Sequence, residues 1–71
     1  MTTYLVRALR WQRGWELHIS EGSTHVGVTQ VKHMKNAVMM ARDYVETLYD
    51  RDTSSDEFVV VLDATRSGGG G

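Results

Sequence analysis

The chain is predicted to fold as a single two-layer α+β domain in the order β-β-β-α-β, with one helix packed on one face of a four-stranded sheet. Three observations predict it. Residues 2–31 alternate apolar and polar side chains with a period of two, broken at two short turn-like segments. From Met34 the apolar residues switch to helical spacing. After a polar stretch at residues 51–55, residues 58–63 form a continuous apolar run that ends on Asp63.

Residues 2–11 read as the first strand. Tyr4, Val6 and Ala8 fall on one face, and Leu5, Arg7, Leu9 and Trp11 on the other. Gln12-Arg13-Gly14 reads as a tight turn in which glycine supplies a positive φ. Residues 15–20 return as a second strand, with Trp15, Leu17 and Ile19 opposed to Glu16, His18 and Ser20. So short a connection makes an antiparallel hairpin. Gly22-Ser23 marks the next turn, and residues 25–31 extend the meander, with Val26 and Val28 on one face and Thr29 and Val31 on the other. The helix is expected over residues 34–50, with Met34, Ala37, Val38, Ala41, Val45 and Leu48 as its apolar stripe. Neither glycine nor proline interrupts it. The last strand, apolar on both sides, is expected beside the first and parallel to it. The domain then covers residues 1–66, and Ser67 with the four glycines after it reads as a flexible tail.

With 71 residues and no cysteine, the chain has room for one domain and no disulfide or thiolate metal site. A domain of this size buries only about 60% of the surface its unfolded chain exposes. Self-association or a partner is therefore expected to supplement the core, most simply as a homodimer. No stretch reads as a membrane span or an export signal, so the expected location is the cytoplasm. The net charge of −1 conceals an asymmetry. Residues 1–42 carry six cations against two acids, and residues 43–71 carry two cations against seven acids. Such a split can build one basic and one acidic surface, or folding can mix the two halves in space.

The residues do not assemble a catalytic set. A two-metal nuclease on a sheet of this kind needs converging carboxylates from the first strand, the helix and the last strand. Glu46 and Asp63 stand in the latter two, but the first strand offers Arg7, Ala8 and Arg10 and no acid. His18, His25 and His33 lack the spacing of metal ligands. No serine sits in a nucleophile elbow, and the glycine cluster is terminal rather than a phosphate loop. No enzyme activity, metal or cofactor is expected.

Gly27-Val28-Thr29-Gln30, followed by a helix opening near Met34 and carrying Ala37 and Ala41-Arg42-Asp43, resembles the N-terminal domain of HicB-type antitoxins. The preceding hairpin with Gly14-Trp15 matches as well, so the resemblance spans about residues 3–63. It implies a partial RNase H-like fold and a role in neutralising a small RNA-cleaving toxin. The chain departs from the family pattern at Ser20-Glu21, where the family usually has a proline, and at Lys35-Asn36, where it usually has acids. The family's C-terminal DNA-binding segment has no counterpart in residues 67–71, and promoter binding is not expected of these residues.

The expected function is accordingly a non-catalytic protein-interaction module that binds and masks a partner protein, a toxin-like RNase on the resemblance. Lys32, His33 and Lys35 stand at the helix start, where the helix dipole favours acids, and this placement suits an anionic partner surface. Met39, on the polar side of the helix, suits an adaptable apolar contact. Asp52 and Asp56, in the acidic stretch after the helix, suit a basic partner. The sheet face away from the helix is expected to hold Leu5, Leu9, Trp11, Val31, Val59 and Val61, an apolar patch suited to self-association unless a bulge reverses its parity. The second expectation is a nucleic-acid binder that uses Arg7, Arg10, Arg13, Lys32 and Lys35 beside Trp11.

Overall fold

Alternation in the first 31 residues builds an antiparallel meander of β1 (Thr3–Trp11), β2 (Gly14–Glu21) and β3 (Thr24–Val31). The computed structural model describes residues 1–63, and the expected domain end at residue 66 and tail at 67–71 lie outside them. A 3-10 turn, Met34–Asn36, leads into α1 (Ala37–Tyr49), and β4 (Glu57–Leu62) completes the sheet. The strand order is β3-β2-β1-β4, with β4 parallel to β1. The α+β architecture and the place of the fourth strand match the sequence expectation.

The core lies between α1 and one sheet face. Tyr4, Val6 and Ala8 of β1 and Leu17 and Ile19 of β2 are buried there. Ala37, Ala41 and Val45, spaced one turn apart, face them from the helix. Alanine at two of these three positions leaves no long side chain to hold helix and sheet apart. Met34, Met40, Tyr44, Phe58 and Val60 close the rim. The helical stripe is narrower than its sequence suggested. Val38 and Leu48 are exposed, and Met40 and Tyr44 border the core in their place.

The turns show where backbone freedom is needed. Between β1 and β2 the left-handed residue is Gln12, with φ 49°, and not Gly14. Gly14 already belongs to β2 and is required for another reason. A Cβ there would stand 2.5 Å from the Val31 carbonyl oxygen and 3.2 Å from the Lys32 Cα. Gly22, with φ 62°, does supply the left-handed residue of the second turn. Asp50 ends α1 in the left-handed conformation usually taken by glycine.

β3 corrects the expected face assignment. Val31 is buried on the helix side, opposite Trp15, and Val28 lies on the bare face, opposite His18. The register shifts at Ile19 and Ser20, where Ile19 pairs with Gly27 and Ser20 with His25. Val26 is thus the extra residue of a bulge and packs against the core rather than beside Val28.

Candidate functional site

The residues singled out in the sequence fall on three surfaces. The first is the end of the β1–β2 hairpin, where it meets the start of the helical segment. A groove of about 290 Å³ lies there, with Trp11, Trp15, Val31 and Met40 among its apolar walls and Arg13 and Lys32 among its polar ones. The guanidinium of Arg10 lies over the Trp15 ring, 5.0 Å from its centroid. That stack holds a cation against the aromatic wall. Among the described residues no carboxylate lines this groove. Lys32, His33 and Lys35 are exposed, and no acid occupies the first turn of either helical segment. Hairpin register is what brings Arg13 to Lys32: the β3 strand returns beside β2, with Val31 opposite Trp15.

The second surface lies along the C-terminal half of α1 and the residues just after it, the groove lying toward the helix start. Asp43, Glu46, Asp50 and Asp52 gather around a shallow hollow with Arg51 among them. The charge asymmetry of the sequence thus becomes a spatial one, with a cationic groove at one end and an acidic hollow at the other. Met39 is exposed, as its position on the polar side of the helix implied.

The two acids expected to contact a partner separate here. Asp52 is exposed, and its carboxylate accepts the Ser54 hydroxyl at 2.9 Å and the Ser54 N–H at 3.0 Å. These bonds, the hydroxyl first, hold its pKa below the usual carboxylate value. A depressed carboxylate pKa contributes stability that is present above the unfolded-state value and is lost as pH falls through the folded-state one. Nuclear magnetic resonance titration of Asp52 is expected to give a midpoint below the ordinary value of about 3.9. Ser54→Ala should move that midpoint back toward the ordinary value. An unchanged midpoint in the variant would mean that the hydroxyl is not the cause.

Asp56 is buried and faces inward, so it does not belong to a contact surface. Its Oδ1 accepts the Thr2 N–H at 2.9 Å, and its Oδ2 accepts Arg51 Nη2 at 2.8 Å. The same Arg51 nitrogen donates to the Tyr4 hydroxyl at 2.7 Å, which is the main reason its pKa is raised. Beside this cluster, Thr53 is fully buried. Its hydroxyl donates to Glu46 Oε2 at 2.8 Å, and Arg42 Nη1 donates to its carbonyl. Arg42 also lies over the Phe58 ring at 4.8 Å. Composition gave no sign of these contacts, because a run of Asp, Thr and Ser reads as solvated loop.

The third surface is the sheet face away from α1. Leu5, Val28, Val59 and Val61 are exposed on it, each by 37–43%, with Leu9 partly buried among them, and Trp11 stands at its hairpin margin, where it also lines the groove. A polar row divides the patch. Arg7 Nη2 meets Asp63 Oδ2 at 3.1 Å, and His18 Nε2 meets Glu16 Oε1 at 3.2 Å. Arg7 stands opposite His18 in the register. The patch is therefore two apolar groups around an ionic strip rather than a continuous apolar surface.

Among the described residues no group of three or more His, Asp and Glu is placed to hold a metal ion. Glu46 is engaged with Thr53, and Asp63 with Arg7. No described helix is long and apolar enough to cross a membrane. Compared with protein-family models, curated proteins and solved structures, the chain has no match.

Proposed function

We propose that this chain is a non-catalytic interaction module that binds and masks a partner protein at the hairpin end. The observation that carries it is the groove between Trp11, Trp15, Val31 and Met40, edged by Arg13 and Lys32. Tryptophan and arginine are the residue types on which binding energy concentrates, and a volume near 290 Å³ accepts one large apolar side chain from a partner. The surrounding cations favour a partner that presents carboxylates beside that anchor. Charges of this kind chiefly raise the association rate and set orientation, while the apolar contact sets residence time. The acidic hollow at the far end would face a basic region of the same partner. On the resemblance to HicB-type domains, a small toxin-like RNase is the first partner to try.

The test measures binding kinetics against that partner. Trp11→Ala is expected to cost at least about 2 kcal/mol, roughly thirtyfold in affinity, mainly through faster dissociation. Arg13→Glu combined with Lys32→Glu should slow association, and the slowing should shrink as salt is added. Unchanged kinetics in both variants, with the fold intact, would end this proposal.

The absence of a carboxylate from the groove favours one second reading, a single-stranded nucleic acid stacking on the tryptophans. It predicts affinity that falls linearly on a log-log plot against salt, with a slope that drops by about one when Lys32 is removed.

A further inference from the structure

We propose that β4 pairs with β4 of a second copy in antiparallel register about a two-fold axis at Val60, joining two sheets into one. The proposal does not rest on the partner-protein reading, since β4 pairs along Thr3–Ala8 of β1 and the groove lies beyond them.

β4 is an edge strand. Its backbone bonds to β1 are fixed at both ends: the Glu57 N–H donates to the Thr2 carbonyl at 2.8 Å, and the Asp63 N–H donates to the Ala8 carbonyl at 3.0 Å. In a parallel ladder only alternate residues of a strand bond to a given neighbour. Residues 57, 59, 61 and 63 therefore turn toward β1. Phe58, Val60 and Leu62 turn their N–H and C=O groups outward, away from the sheet.

Edge strands that must stay unpaired usually carry a lysine, a proline or a bulge. Residues 58–62 carry none of the three. The opposite edge, β3, carries the bulge at Val26. Among the described residues, β4 is thus the edge strand without such a device.

The sequence of β4 is complementary to itself in one register. With Val60 opposite Val60, Phe58 stands opposite Leu62 and Val59 opposite Val61. All three outward-facing residues then form hydrogen-bonded pairs, which no shifted register achieves. On the helix side, Phe58 of one copy covers Leu62 of the other, and Leu62 is 60% exposed in the single chain. On the bare side, Val59 and Val61 of the two copies meet, and the Leu5 rows flank them. This register also places Glu57 opposite the second copy's Asp63, a like-charge pair at each end that Arg7 only partly offsets. The contact is short, so association is weak and depends on concentration.

The test is amide hydrogen exchange read residue by residue, with sedimentation, from low micromolar to millimolar concentration. At low concentration the Val59 and Val61 amides exchange slowly and those of Phe58, Val60 and Leu62 rapidly. Raising the concentration should protect Phe58, Val60 and Leu62 specifically. Leu62→Pro removes an outward N–H and no bond to β1, so it should leave the monomer folded and weaken the dimer by about tenfold or more. Glu57→Lys replaces the repulsion with an attraction to Asp63 and should strengthen the dimer several-fold. A monomer at millimolar concentration overturns the proposal. So does a dimer in which Phe58, Val60 and Leu62 stay unprotected, since the copies would then meet through a face instead of this edge. A dimer weakened by Glu57→Lys would overturn the register.

Discussion

Asp56→Ala is expected to destabilise the fold by about 3 kcal/mol. The Asp56 side chain is almost completely enclosed, 2% exposed, and both of its oxygens are used. One accepts the backbone N–H of Thr2, and the Glu57 N–H returns a bond to the Thr2 carbonyl. The start of β1 is thus tied to the start of β4 by residues adjacent in sequence. The other oxygen accepts Arg51, which also holds the Tyr4 hydroxyl over the core. Alanine removes both acceptors. A charge-assisted hydrogen bond contributes about 1.5–3 kcal/mol, and an orphaned buried donor costs about 1–3 kcal/mol. Arg51 is 42% exposed and can turn to water, which keeps the total near the middle of that range. In a domain of this length the loss corresponds to a melting temperature lower by roughly 10–20 °C. Thermal melts of the purified variant check it. Asp56→Asn retains an acceptor for Thr2 and should lose clearly less. Equal losses in the two variants would show that charge alone matters at this position.

That network marks the boundary of what the sequence makes legible. Element order follows from period alone: alternation up to Val31, helical spacing from Met34, and an apolar run from Phe58 each report which surface a backbone buries. The helix end is less visible, because Asp50 takes the left-handed conformation without the glycine that usually announces it. Parity in β3 is hidden for a different reason. Alternation says that Val28 and Val31 lie on opposite faces, and they do. Which of them faces the helix depends on register with β2, and the bulge at Val26 lies in that register. Thr53 and Asp56 are hidden because burial of a polar residue depends on partners distant in the chain. At the hairpin end, Lys32 stood out from its place before the helix, but its proximity to Arg13 and the tryptophans is a consequence of strand pairing.

The charge distribution has the same origin. The six cations of residues 1–42 and the seven acids of residues 43–71 are separated in sequence, and the topology largely keeps them apart. β1 runs from the acidic end to the cationic end, and the helix returns in the opposite sense, from the cationic groove to the acidic hollow. Arg7 with Asp63 crosses the divide and serves the sheet, whereas Arg51 with Asp56 pairs within residues 43–71 and serves the interior. Arg13, Lys32 and Lys35, by contrast, make no ion pair with an acid among the described residues.

Gly27→Val is expected to destabilise the protein by about 3 kcal/mol, against what strand propensity alone would predict. Valine is among the residues most favoured in strands, and glycine among the least. Gly27, however, lies directly beneath the ring of Tyr44 from α1. A Cβ at this position would come to 2.6 Å from Cε1 and 2.7 Å from Cζ, and closer still to the hydroxyl oxygen. The ring must then swing away, and the helix loses its contact above the β3 bulge. Forcing extra groups into a packed site costs typically 1–3 kcal/mol, and the branched Cβ of valine leaves the ring few ways to accommodate it. Denaturant titration measures the loss. Its cause is checked by coupling: Tyr44→Ala removes the ring, so Gly27→Val in that background should cost at least about 1 kcal/mol less than in the natural chain. If the two substitutions instead add, the close approach of Tyr44 is not what requires glycine at position 27, and the packing of α1 against β3 must have another basis.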